Sequence, residues 1–179
     1  MNSSSQRADA RKNREKILKI AHEVLSESPD ASMNSIAKRA AVGAGTLYRH
    51  FPTREDLILS VYCYDIDQLV NSVSLMLRCH SPLEALRMWI LDLVSYVKIK
   101  HGLGDALTEQ MKQDIVADTY TKVRNALRQL LDAGRESGEI KSDISADDFL
   151  TLIGSLWRIS SADPKRINGM LDVIIAGIC

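Results

Sequence analysis

The sequence predicts an all-α fold of nine helices, with a compact N-terminal three-helix module ahead of a larger helical body. Three observations point there. Apolar residues recur at three- and four-residue spacing along most of the chain, and no convincing strand alternation interrupts them. Only four prolines and nine glycines punctuate 179 residues, which suits long helices better than a many-turned β-protein. Hydrophobic residues make up 45% of the chain, ample for a proper core, so disorder is not the expectation.

Each element follows from its own signals. Ile17, Ile20, Ala21, Val24 and Leu25 lie at helical spacing, so a first helix runs from about Asp9 to Glu27 and stops at Pro29-Asp30. Ser32 is the candidate N-cap of a short second helix that buries Ile36, Ala37 and Ala40. A break at Ala41-Val42-Gly43 precedes a third, Ala44 to His50, which Pro52 ends. Thr53 caps a long fourth helix through Leu57, Val61, Tyr64, Leu69, Val73 and Leu77. Ser81-Pro82-Leu83-Glu84 has the Ser, Pro and Glu of a capping box, and opens a fifth helix that is apolar nearly all round. After His101-Gly102 a short sixth helix runs to about Lys112, and a seventh spans Asp118 to Ser137, closed by Gly138. Ser145 opens the eighth, with Phe149, Leu152, Ile153, Leu156 and Trp157. Asp163-Pro164 opens the ninth.

Charge and cysteine narrow the function. The net charge is zero, yet residues 1–58 hold ten bases against seven acids, so the remainder carries the compensating negative charge. A basic front end on an acidic body suits a protein that docks one end on DNA. Cys63, Cys79 and Cys179 are scattered without metal-ligand spacing, so no metal or cofactor is expected. His22, His50, His80 and His101 are dispersed, and neither a nucleophile motif nor a glycine-rich phosphate loop is present. An enzyme is therefore not expected. The absence of a long apolar run or an apolar leader makes the cytoplasm the expected compartment, with no membrane partner.

The informative stretch is Ser32 to Leu57. Two short helices joined by a tight turn have the dimensions of a helix-turn-helix. Their apolar side (Ile36, Ala37, Ala40, Val42, Leu47 and Phe51) needs the first helix beneath it. The outer side of the third helix then presents Ala44, Gly45, Thr46, Tyr48, Arg49 and His50. Small residues allow close entry to a major groove, and the hydroxyls and cations after them suit phosphate.

The run Ile36-Ala37-Lys38-Arg39-Ala40, then Val42, Gly45-Thr46-Leu47-Tyr48-Arg49-His50-Phe51 and Arg54-Glu55-Asp56-Leu57, closely resembles the signature of the TetR family. The resemblance implies a helix-turn-helix DNA-binding domain over 1–52 and a ligand-binding and dimerisation domain over 53–179. It implies a transcriptional regulator acting as a homodimer on double-stranded operator DNA, with the last two helices of two subunits forming a four-helix bundle. It also implies an inducer cavity beside the long fourth helix. Carried over position by position, Ser32 and Asn34 reach phosphate or base, and Ala44 and Gly45 start the groove-facing helix. Thr46, Tyr48 and His50 clamp phosphates, Arg49 reads a guanine edge, and Arg54 grips a flanking phosphate. Two positions depart from the family pattern. Ala41 stands where a turn glycine is frequent, so either the turn differs or Ala41 takes ordinary backbone angles. Ala44 replaces a frequent basic residue or proline, which removes one polar base contact.

The larger half holds pocket-building side chains: Trp89, Tyr96, His101, Leu107, Met111, Tyr120 and Trp157. They suit either a cavity for a small, mainly apolar effector or plain core filling. For the dimer, Gly154 and Ser155 would allow close helix approach, and Ile167, Met170, Leu171, Ile174 and Ile178 give an apolar face shared between core and interface. Repression released by an apolar ligand is the leading expectation. A regulator without a small-molecule inducer, or an activator, stands beside it.

Overall fold

The computed structural model describes residues 3–100, 109–157 and 164–179, with side chains described over 11–95, 117–154 and 165–179. Among the described residues there are eight helices and no strand. They are α1 (Ser3–Glu27), α2 (Met33–Arg39), α3 (Ala44–His50), α4 (Arg54–Cys79), α5 (Pro82–Lys100), α6 (Glu109–Glu136), α7 (Ala146–Trp157) and α8 (Pro164–Ala176). The all-α expectation stands, and the count of nine is corrected to eight. The sequence reading separates a helix ending near Lys112 from one starting at Asp118, whereas α6 runs through both. The stretch between them, Gln113-Asp114-Ile115-Val116-Ala117, contains no glycine or proline, so nothing there terminates a helix. Lys122 also pairs with Asp118 one turn earlier at 3.1 Å, across the expected boundary.

Two compact units are present. One comprises α1, α2, α3 and α4 as far as Asp65; the other takes α4 from Ile66, α5 to Lys98, and α6, α7 and α8. In the first unit the α1 stripe Ile17, Leu18, Ala21, Val24 and Leu25 is buried. So are Met33, Ile36, Ala37 and Ala40 around α2, Leu47 and Phe51 around α3, and Leu57, Ile58 and Val61 in α4. Helices of seven residues are far too short to persist alone. Each large apolar side chain they bury contributes about 1.5–3 kcal/mol, and that packing keeps them helical.

Polar contacts fix the details. Ser32 caps α2, its Oγ accepting the Ser35 amide at 3.2 Å. At the other end the Val42 amide donates to the Ala37 carbonyl and the Ala41 amide to that of Lys38, at 3.0 and 3.2 Å. This is the paired pattern of a Schellman motif. It demands a left-handed residue after the cap, and Ala41 supplies it with φ 54°. Of the two alternatives for this position, ordinary backbone angles are thereby excluded. Thr53 and Asp56 cap α4 reciprocally, at 3.0 and 3.1 Å. Between α1 and α4, His22 Nδ1 meets Asp65 Oδ2 at 2.8 Å, with Asp65 only 4% exposed.

In the second unit Trp89 is wholly buried, and its indole N–H donates to the Leu69 carbonyl at 3.0 Å. At the start of α5, Ser81 Oγ accepts the Glu84 amide, and the Glu139 carboxylate accepts that of Leu83 at 3.2 Å. Gly138, with φ 78°, closes α6. The chain then doubles back so closely that a Cβ on Gly134 would lie 2.4 Å from Ile140 Cδ1. Arg87 of α5 binds Asp172 and Asn168 of α8. Beyond α8 the Ile178 carbonyl accepts the amides of Lys141 and Ser142, at 2.9 and 3.2 Å, while the Ile178 side chain is buried.

Two stability measurements test this packing. A left-handed alanine costs about 1–2 kcal/mol that glycine avoids. After the greater chain entropy of glycine is subtracted, Ala41→Gly is expected to raise unfolding stability by about 1 kcal/mol, read from the urea midpoint. An unchanged or lowered midpoint contradicts the strained turn. The second concerns pH. The hydrogen bond to Asp65 lifts the His22 pKa above its usual 6.5 despite burial, and burial pushes the Asp65 carboxyl above its usual 3.8. Both shifts mean that the folded state holds protons more tightly than the unfolded chain, so stability falls as pH rises. The His22 contribution is complete below pH 6.5 and is lost as pH passes the folded value above it. Thermal midpoints measured from pH 6 to 8.5 (about the range His22 spans) should therefore decline in the native chain and flatten in His22→Gln. Parallel profiles would contradict this.

Candidate nucleic-acid interface

The surface of the first unit is set by the burial of Leu47 and Phe51. With these two turned inward and fully buried, the 3.6-residue period leaves Ala44, Gly45, Tyr48 and Arg49 together on the outer face of α3. All four are exposed, Tyr48 at 46%. Thr46 and His50 sit half-buried on the flank of that face. A Cβ placed on Gly45 would touch nothing within 4 Å, so its surroundings within the chain do not demand glycine. Asn34 is exposed on α2 next to the Ser32 cap. Eight of the nine residues expected at a DNA surface are therefore gathered on α3 and at the start of α2.

Arg54, the ninth, is occupied within the chain. Its guanidinium donates to the carbonyls of Pro29 and Ala31, each at 2.5 Å. This fastens the start of α4 to the turn preceding Ser32, so Arg54 holds the entry to α2 in place. Two further restraints carry no obvious sequence signal. The Arg39 guanidinium makes two hydrogen bonds to Glu27, at 3.2 and 3.3 Å, joining the end of α2 to the end of α1. Arg14 lies 4.7 Å over the Phe51 ring and donates to Ser60 Oγ at 3.1 Å, so one cation touches both the C-cap of α3 and the body of α4. The clue for Arg14 is its place three residues before Ile17, on the edge of the apolar stripe of α1.

The other expected sites are dispersed. Trp89 belongs to the core, and Tyr120 is exposed with its hydroxyl donating to Asp147 Oδ1 at 2.7 Å. That bond, first among its causes, raises the pKa of Tyr120. His101 and Leu107, and the side chains of Tyr96, Met111 and Trp157, lie outside the described residues, as does the side chain of Ser155. Of the interface set, Ile167, Leu171 and Ile178 are buried within their own chain, while Gly154, Met170 and Ile174 are half-buried. The outward apolar residues on α7 and α8 are Leu152 and Val173, the latter 74% exposed; the sequence reading puts neither in the interface. Among the described residues no group of three His, Cys, Asp or Glu could hold a metal ion, and no helix is long and apolar enough to cross a membrane.

Comparison with known proteins places this geometry. Residues 17–61 match the family model of bacterial regulatory proteins of the tetR family, and residues 81–179 match the C-terminal domain of SbtR-like transcriptional regulators. The crystal structure of a TetR transcriptional regulator from Streptomyces coelicolor is 37% identical, covering 92% of this chain and 97% of that one, with a TM-score of 0.79. A TetR regulatory protein from Mycobacterium vanbaalenii is 30% identical over 97% of this chain and 98% of its own, with a TM-score of 0.72. An HTH-type transcriptional regulator of Staphylococcus aureus is 38% identical over 98 residues. That match spans 53% of this chain and about half of the relative, 52%. With both parts of the chain matched to the family and with relatives aligned along nearly their whole length, the chain belongs to the TetR family of helix-turn-helix transcriptional regulators, DNA-binding proteins and not enzymes.

Proposed function

We propose that the protein is a homodimeric repressor that occupies a palindromic operator and leaves it when a small, mainly apolar molecule binds the second unit. The observation that carries this reading is the outer face of α3, where Ala44, Gly45, Tyr48 and Arg49 stand exposed on a helix anchored by Leu47 and Phe51. Small residues at its start permit close approach to base edges. Arg49 can then make a bidentate guanine contact, worth about 1–3 kcal/mol of discrimination. Ser32, Thr46, Tyr48 and His50 bind phosphate, Asn34 reaches backbone or base, and Arg54 acts by holding the turn before Ser32.

For the dimer, α7 and α8 supply the contact. Leu152, Met170 and Val173 form its apolar outer part, with Gly154 and Ser155 allowing close helix approach. Ile167, Leu171 and Ile178 support it from the core, with Ile174 at the margin. Two recognition helices would then sit about 34–36 Å apart, one turn of DNA. For sensing, support comes from α4, an unbroken helix that supplies both units. An effector that displaces its second half also displaces its first, and DNA binding must weaken effector binding by the same factor. Tyr96, His101, Leu107, Met111 and Trp157 are the proposed lining, with Trp89 as its buried support. Tyr120, already bonded to Asp147 at the surface, is the least suited of the original set.

A titration against DNA from the region upstream of its own coding sequence tests the reading. Tyr48→Ala and Arg49→Ala should each weaken selective binding at least tenfold, about 1.4 kcal/mol, with unfolding midpoints unchanged because both side chains are exposed. Weak binding, equal on any sequence, would overturn it. Gly45→Ala separates fold from function: the free chain should gain up to about 1 kcal/mol of stability, while operator affinity falls because the added methyl meets DNA. Retained affinity would remove Gly45 from the interface. Should candidate effectors that bind the protein leave operator affinity unchanged, the sensing claim is lost.

A further inference from the structure

The front of α1 carries more positive charge than the fold uses. Between Ser3 and Lys16 the sequence has five bases, two acids and no apolar side chain larger than alanine. A stretch that is polar on every side has no core to bury, and a helix of that length is marginal in isolation. Among its described side chains only Arg14 turns inward, onto Phe51 and Ser60. Arg11, Lys12 and Lys16 are exposed. The ion pair of Arg11 with Glu15, at 3.7 Å between side chains 79% and 57% exposed, is too solvated to account for the segment.

Position gives the surplus a meaning. Phe51 is the C-cap of α3, so Arg14 pins its level of α1 beside the end of the recognition helix. The helical turns before it continue from there at about 1.5 Å per residue. A helix lodged in a major groove has a sugar–phosphate strand along each wall, and a cationic helix seated against its end meets one of them. We propose that Arg11 and Lys12 form a second, sequence-independent DNA contact, gripping phosphates that flank the bases read by α3. The inference rests on the DNA-binding reading above and adds to it a residue pair and a role, affinity without selectivity.

The test compares the full-length chain with R11Q/K12Q and with R128Q/K141Q, which removes the same charge from exposed positions of the second unit. Affinities are measured for the operator and for an unrelated duplex of equal length, from about 50 to 300 mM KCl, the range where counterion release dominates. The expected result for R11Q/K12Q is a log–log salt slope shallower by about 1.8, one step of roughly 0.9 per lost phosphate contact. The fold-loss should be equal on both duplexes, and R128Q/K141Q should keep the native slope. An unaltered slope in R11Q/K12Q overturns the proposal, and so does an equal change in R128Q/K141Q, which would mean only overall charge matters. Should the native chain prefer neither duplex, the operator reading fails by itself, and the slopes still decide whether Arg11 and Lys12 touch phosphate.

Discussion

Everything the N-terminal unit presents to its surroundings depends on the inward burial of Leu47 and Phe51. A seven-residue helix cannot repay its own nucleation, so α3 exists because those two side chains, with Ile36, Ala37 and Ala40 from α2, share a core with the stripe of α1. Their direction also decides what faces out. Rotating α3 by one residue would put Tyr48 in the core and a core leucine on the surface. The recognition surface is in this sense the remainder after packing, and its chemistry can vary freely as long as the two anchors stay.

Packing sets the face, and polar contacts set the angle. Arg54 on two carbonyls, Arg39 on Glu27 and Arg14 on Phe51 and Ser60 each join elements far apart in sequence. Three of the cations in the basic half are thus structural fasteners, and the formal charge of the unit overstates what is available to phosphate. This division between fastened and free cations explains how a chain of zero net charge can still present a strongly basic edge.

Much of this was legible in the sequence. Ser32, Thr53 and Ser145 announce helix starts through cap chemistry that is local, and α3 was bounded to the residue because Gly43 and Pro52 bracket it. What local chemistry does not encode was missed. The continuity of α6 across Lys112 to Asp118 is the absence of a signal, and changing periodicity imitated a break. Ala41 in the left-handed region could not be read from alanine, since a Schellman motif imposes that conformation from both sides. The engagement of Arg54 with Pro29 and Ala31, and of His22 with Asp65, spans more than twenty residues of chain, beyond the reach of any spacing rule. Likewise the division of α8 between core and surface depends on which neighbours cover Ile167, Leu171 and Ile178, leaving Val173 outside.

The clasp at Ile178 reaches further than its size suggests. One carbonyl near the end of the chain satisfies two amides of the α6–α7 connection, and the side chain beside it fills part of the core. Proteolytic trimming of the last two residues would therefore leave two donors unsatisfied and open a void where α6 hands over to α7. Degradation machinery that nibbles at this tail would meet a tethered end, and a purification tag fused there would pull on the same loop that the clasp closes.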